Sequence, residues 1–148
     1  MNSIDTLIAL ANLRGSLDLR CQFQGDWALE HTPENLGVAP YHIVISGTCR
    51  AELSGGQHVT LEEGDILLMP GGATHLLRSQ GERIRPVQPT VIEGGVLPVY
   101  RLGGERPEVD MLCGNFHYNR QSLLLGALPE FLVVSSRQWQ GDGQLAAL

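Results

Sequence analysis

The stretch Gly64-Asp65-Ile66-Leu67-Leu68-Met69-Pro70-Gly71-Gly72-Ala73-Thr74-His75 constrains the fold of this chain more than any other. Gly64-Asp65 turns the chain into a short apolar run, and Pro70 ends that run because it cannot donate to a strand ladder. Gly71-Gly72 then permit a reversal at backbone angles that other residues resist. His75 opens the next strand, directed at the interior. A chain punctuated in this way builds short strands, and the pattern recurs along it. Leu17, Leu19, Cys21 and Phe23 alternate with Asp18, Arg20 and Gln22, the two-residue period of a half-buried strand. Cys21 is therefore expected on the Leu17, Leu19 and Phe23 face. Residues 26–29 and the β-branched run 41–45, closed by Gly47, supply two further strands. Residues 48–53 and 57–61, joined by Ser54-Gly55-Gly56, read as a hairpin, because paired glycines provide the positive φ of a tight reversal. Residues 66–69, 74–79, 109–118 and 131–134 add more strands.

Helix is scarce. Ile4, Leu7, Ile8 and Leu10 or Ala11 share one helical face, with Ser3 as N-cap and Gly15 beyond the C-terminus, so one short N-terminal helix is expected. Residues 123–128 are compatible with a turn or short helix before Pro129. Between residues 80 and 108, Pro86, Pro89, Pro98 and Pro107 with Gly94-Gly95 and Gly103-Gly104 suggest a surface excursion of functional length. The fold class is accordingly all-β, a sandwich or barrel, and 148 residues make one domain, 1–148.

Charge and apolar patterning narrow the function. Sixteen acidic against ten basic residues give a formal charge of −6, so this chain is not expected to hold a nucleic-acid backbone. Its apolar runs are far shorter than the ~20 residues a membrane span needs, and residues 1–13 lack the basic start and apolar centre of a secretory signal. A cytoplasmic protein without membrane contact is expected. Cys21, Cys49 and Cys113 form an odd set with no C-x-x-C pair, which argues against a disulfide scaffold or a zinc knuckle.

Gly64, Pro70, Gly72 and His75 match the spacing of the second motif of the cupin superfamily, G-x5-P-x-G-x2-H-x3-N, with Ser79 in place of the final Asn. The first cupin motif is broken. Anchored on Gly47, its glutamate position holds Pro40 and no His-x-His precedes it; only His42 lies nearby, on the same inward face. The resemblance thus implies a jelly-roll barrel without the usual metalloenzyme site. The Trp27 strand, Tyr41 to Gly47, Arg101-Leu102-Gly103-Gly104, Met111-Leu112-Cys113-Gly114 and Leu128-Pro129 extend the likeness along nearly the whole chain. Together they resemble the N-terminal cupin domain of AraC-family transcription regulators. Cys21 before Asp26-Trp27 and Cys113 before Gly114 resemble the cysteine positions of members that answer hypochlorous acid and related reactive chlorine species.

That resemblance implies a non-enzymatic sensor whose signal is an oxidant or a small-molecule effector, with Cys21 and Cys113 as redox-sensing residues and His42 and His75 lining the lumen. It also implies a helix-turn-helix domain C-terminal to residue 148 as the partner of this fragment, whose residues 144–148 read as the start of a helix, and a homodimer as a further partner. Should Cys21, His42, His75 and Cys113 converge, two chemistries are open. Two thiolates and two imidazoles form a zinc site of familiar type. Without metal, an imidazolium beside a cysteine favours the reactive thiolate. Each residue also has a plainer reading as buried packing, since free cysteine is among the most buried residue types. The competing functions are a small metal-dependent cupin enzyme using His42 and His75, and a plain dimerisation module. Cys49 is expected to be structural, His31 to face solvent or approach the barrel mouth, His58 to face solvent, and His117 to point outward.

Overall fold

The computed structural model describes residues 14–82, 88–121 and 127–135. The expected N-terminal helix and the helical start at 144–148 lie outside these residues, as does most of the 123–128 turn. Within them the chain forms eleven strands: β1 (Arg14–Phe23), β2 (Ala28–His31), β3 (Val38–Ser46), β4 (Cys49–Glu52), β5 (His58–Leu61), β6 (Asp65–Leu68), β7 (His75–Arg78), β8 (Thr90–Ile92), β9 (Val99–Leu102), β10 (Val109–His117) and β11 (Leu132–Ser135). They assemble into a larger sheet of order β11-β6-β3-β10-β1-β9-β8 and a smaller one of order β2-β7-β4-β5. The pairing is antiparallel except between β1 and β9. This is the expected all-β, jelly-roll-like architecture.

The core lies where the two sheets contribute alternate residues to one apolar cluster, with Phe23, Val44, Leu67 and Met111 from the larger sheet and Cys49, Ala51, Leu61 and Leu77 from the smaller. The hairpin at Ser54-Gly55-Gly56 forms between β4 and β5 as its glycines require. The reversal before His75 depends on Gly72, whose φ is +71° and where a Cβ would stand 2.8 Å from Glu34 Cβ and 3.0 Å from the Val38 carbonyl oxygen. Ser79, in the place of the motif's Asn, accepts a hydrogen bond from Trp27 N at 3.0 Å and so ties the end of β7 to the start of β2.

Two expectations are revised. Leu17 does not share the Cys21 face: it is 43% exposed, because the β1–β10 register shifts between Leu17 and Leu19 and the extra residue, Asp18, reverses the alternation. Residues 80–108 are not simply a surface excursion. They return as β8 and β9, and β9 pairs parallel to the half of β1 that carries Cys21.

Candidate functional site

Two cross-strand pairs, one from each sheet, meet at one end of the space between the sheets. On the smaller sheet His31 of β2 lies opposite His75 of β7. Side chains of directly opposed residues project from the same face, and the two rings stack with centroids 4.4 Å apart and planes 8° from parallel. On the larger sheet His42 of β3 lies opposite Cys113 of β10, and His42 Nδ1 stands 3.0 Å from Cys113 Sγ. The pairs join through His42 Nε2 and His75 Nε2, 2.8 Å apart. His31 packs edge-on against His42, with ring centroids 4.7 Å apart. His42, His75 and Cys113 are buried and His31 is half-buried.

Burial fixes the protonation of the cluster. It pushes the His42 imidazole well below its usual range, with the neighbouring His31 and His75 adding to the effect. It also lowers His75, and with His75 nearby it brings His31 down to about 4. All three rings are therefore neutral at neutral pH, each with one N–H and one lone pair. The tautomers then follow from one fixed acceptor. His75 Nδ1 stands 3.0 Å from the Ala73 carbonyl oxygen, which can only accept, so His75 carries its proton on Nδ1 and presents a lone pair at Nε2. His42 Nε2–H must donate to that lone pair, which leaves His42 Nδ1 as an acceptor for the Cys113 thiol. A directed chain results, Cys113 to His42 to His75 to Ala73, in which every donor has an acceptor. His31 stands outside this chain; burial and His75 outweigh the hydrogen bond with the Leu29 backbone that favours its protonated form.

Cys113 is held as a thiol. Its pKa is raised well above the ordinary value, first by its hydrogen bond with Cys21 and then by burial. The two cysteines are diagonal neighbours on β1 and β10, Cys21 opposite Met111 and Cys113 opposite Leu19, and both are free. The neighbour of Cys113 is thus a neutral imidazole that accepts the thiol proton, where an imidazolium stabilising a thiolate was the expectation. Gly114 keeps this edge of the site open for packing: the Tyr41 hydroxyl crosses it to donate to the Ser16 carbonyl oxygen at 2.9 Å. A Cβ at Gly114 would lie 2.1 Å from that oxygen and 2.6 Å from the hydroxyl.

Cavities flank the cluster on both sides. One of about 330 Å³ is lined by His31, His75, Glu30 and Glu52, and a smaller one of about 110 Å³ by His31, His42, Cys113 and Asp18. The four residues singled out in the sequence therefore occupy one neighbourhood. His31 joins them from the position that was expected to face solvent. The signal for it was present in the alternation of Trp27, Leu29 and His31, which continues the inward parity of β2 up to the loop containing Pro33. Cys49 turns its thiol to Met111 Sδ at 3.8 Å, and His58 is exposed at the hairpin.

A family model described as Cupin matches residues 3–148. An uncharacterized HTH-type transcriptional regulator of Haemophilus influenzae is 30% identical over 135 residues, covering 91% of this chain and 45% of that protein. The HTH-type transcriptional regulator MtrA of Neisseria gonorrhoeae is 30% identical over 137 residues, 91% of this chain and 44% of its own length. The RCS-specific HTH-type transcriptional activator RclR of Escherichia coli strain K12 is 30% identical over 77 residues, 52% of this chain and 27% of the activator. The chain spans less than half the length of each of these relatives. All three are named as transcriptional regulators, none as an enzyme. Among the described residues no helix is long and apolar enough to cross a membrane.

Proposed function

The chain belongs to the cupin family, and on that premise we propose that residues 1–148 are a single regulatory sensor domain of an AraC-type transcription activator in the cytoplasm. Its output partner would be a C-terminal DNA-binding domain of the parent protein, with a second copy of the chain as a further partner. The observation that carries this reading furthest is the Cys113–His42 contact beside Cys21. It joins a thiol, a base and a second thiol in one buried place, next to cavities that admit a small oxidant or effector.

The proposed chemistry is a two-electron oxidation by hypochlorous acid. The Cys113 sulfur attacks chlorine while its proton passes to His42 Nδ1, giving a sulfenyl chloride and hydroxide, and proton return forms water. Cys21 sulfur then displaces chloride and loses its proton. Two thiols and one hypochlorous acid give one disulfide, water, chloride and a proton. The Cys–His pair is the usual arrangement for activating a sulfur nucleophile at the moment of attack. Diagonal cross-strand neighbours have Cα atoms roughly 7–8 Å apart, beyond the ~6.8 Å upper reach of a relaxed disulfide. Closing the bridge would draw β1 against β10 near the bulge at Asp18 and displace β9, which pairs with β1. That displacement is a means of passing the signal to a partner domain.

Thiol counting by mass spectrometry after one equivalent of hypochlorite tests the reading. The expected product is an intramolecular Cys21–Cys113 disulfide with Cys49 still reduced. Unchanged thiols, or oxidation of Cys49 first, would sink it.

A further inference from the structure

The histidine cluster carries a second assignment that does not depend on thiol oxidation. We propose that His31, His42 and His75 form a binding site for one divalent transition-metal ion of the zinc type, with an open coordination position facing the flanking cavities. One nitrogen from each ring lies within 4.8 Å of the others, and the three rings come from three strands of two sheets. Neutral imidazole is the ligand that suits zinc, copper, nickel and iron, and three such ligands leave a position for water or an effector.

Local details fit an ion better than they fit packing alone. His75 gives its Nδ1–H to the Ala73 carbonyl, the outer hydrogen bond that fixes a metal-ligating histidine with its Nε2 lone pair forward. The His42 and His75 Nε2 atoms, 2.8 Å apart, are closer than the roughly 3.3 Å that separates two nitrogens on a tetrahedral ion with bonds of about 2.05 Å. A spread of about half an ångström, available to two side-chain torsions, makes room.

The geometry also separates this donor set from one that includes the cysteines. Cys113 touches Nδ1 of His42, on the opposite side of the ring from the nitrogen that faces His75. An ion held between His42 Nε2 and His75 Nε2 is thus out of reach of Cys113, which becomes an outer partner of a ligand. The ion takes the place of the single proton that His42 carries on Nε2, and that proton moves to Nδ1. His42 so stays neutral, no proton is released, and the hydrogen bond with Cys113 reverses direction, with Nδ1–H donating to the sulfur. Metal occupancy and the state of the sulfur are thereby linked through one ring.

The test is a titration of the 148-residue chain with cobalt(II) and zinc(II), followed by visible spectroscopy and calorimetry. One equivalent of cobalt is expected to give a tetrahedral or five-coordinate d–d spectrum without an intense near-ultraviolet thiolate band. His31→Gln, a change at a half-buried strand end, should weaken zinc binding by at least roughly tenfold, the low end of what even outer-shell losses cost. His58→Gln should leave it unchanged, and Cys113→Ser should retain one equivalent. Absence of binding, a thiolate band, or equal affinity in His31→Gln would each overturn the proposal. Thiol counting reads the redox function separately, so either proposal can fail while the other stands.

Discussion

Cys49 and Cys113 face the same inter-sheet space, yet their surroundings give them opposite characters. Cys49 is fully buried among apolar neighbours, its thiol turned toward Met111 Sδ at 3.8 Å, and burial followed by the charge of Asp65 pushes its pKa up to about 12. Cys113 is raised by its hydrogen bond with Cys21 before burial is counted, and its sulfur rests on an imidazole nitrogen. Met111, the partner of the first thiol, and Cys113 sit two positions apart on β10 and so face the same way. Strand alternation delivers both to the interior without deciding which is functional. The partners decide it: a thioether offers a weak acceptor and a filled core, whereas His42 offers a base already linked to two further rings. One end of the barrel is packing and the other is chemistry, and that division can be broken experimentally.

The largest effect should come from the packed end. Met111 is fully buried in the central cluster, so Met111→Ala should cost about 2–5 kcal/mol of stability by urea unfolding. Its disulfide yield with hypochlorite should persist under conditions where the variant is folded. A large loss of disulfide yield in the folded variant would mean that the two ends are one unit. Serine substitution sharpens the contrast at lower cost. Cys49→Ser places a hydroxyl against a thioether with no strong acceptor and should cost about 1–3 kcal/mol. Cys113→Ser should cost less than about 1 kcal/mol, because the hydroxyl can still donate to His42 Nδ1. Equal losses at the two positions would remove the distinction.

The sequence made the fold legible where glycine and proline punctuate period-two strands. Gly64, Pro70, Gly72 and His75 do what their spacing demands, and the Gly55-Gly56 hairpin forms in place. It was less legible where an extra residue resets the parity, as Asp18 does between Leu17 and Leu19. No residue type announces a bulge of that kind, because the alternation of Leu17, Leu19, Cys21 and Phe23 with Asp18, Arg20 and Gln22 runs through it unbroken. The proline-rich stretch 80–108 concealed β8 and β9 for a related reason: β9 pairs with β1, far away in sequence, and β8, paired with β9 at the end of the sheet, carries the weak pattern of an edge strand. At the site, His42 and His75 could be put on inward faces from alternation alone. Their proximity to each other depends on how the two sheets close, which one sequence does not encode in any local pattern. His31 was missed because its short strand ends just before Pro33, and the loop character of residues 32–37 masked the Trp27, Leu29, His31 parity.

The pH dependence separates the two ends most directly, because the histidine end carries the groups with lowered pKa values that titrate in the mildly acidic range. In the unfolded chain the imidazoles protonate near 6.5, whereas in the folded protein burial holds His42 and His75 lower and His31 at about 4. Between those limits the unfolded state binds protons that the folded state refuses, so the stability is present above about pH 6.5 and is lost as pH falls toward 4. His31 alone accounts for about 1 kcal/mol of loss by pH 5.5, from the slope of one proton over one pH unit. Cys49, at about 12, remains a thiol throughout and contributes nothing in that range. Thermal unfolding at pH 7 and pH 5.5 should therefore show a drop in the wild-type chain that is smaller in His31→Gln and unchanged in Cys49→Ser. Were the drop identical in all three, His31 would not be a source of the acid sensitivity. Absence of any drop in the wild-type chain would remove the main thermodynamic support of the directed hydrogen-bond chain from Cys113 to Ala73, since it requires rings that stay neutral when water would protonate them.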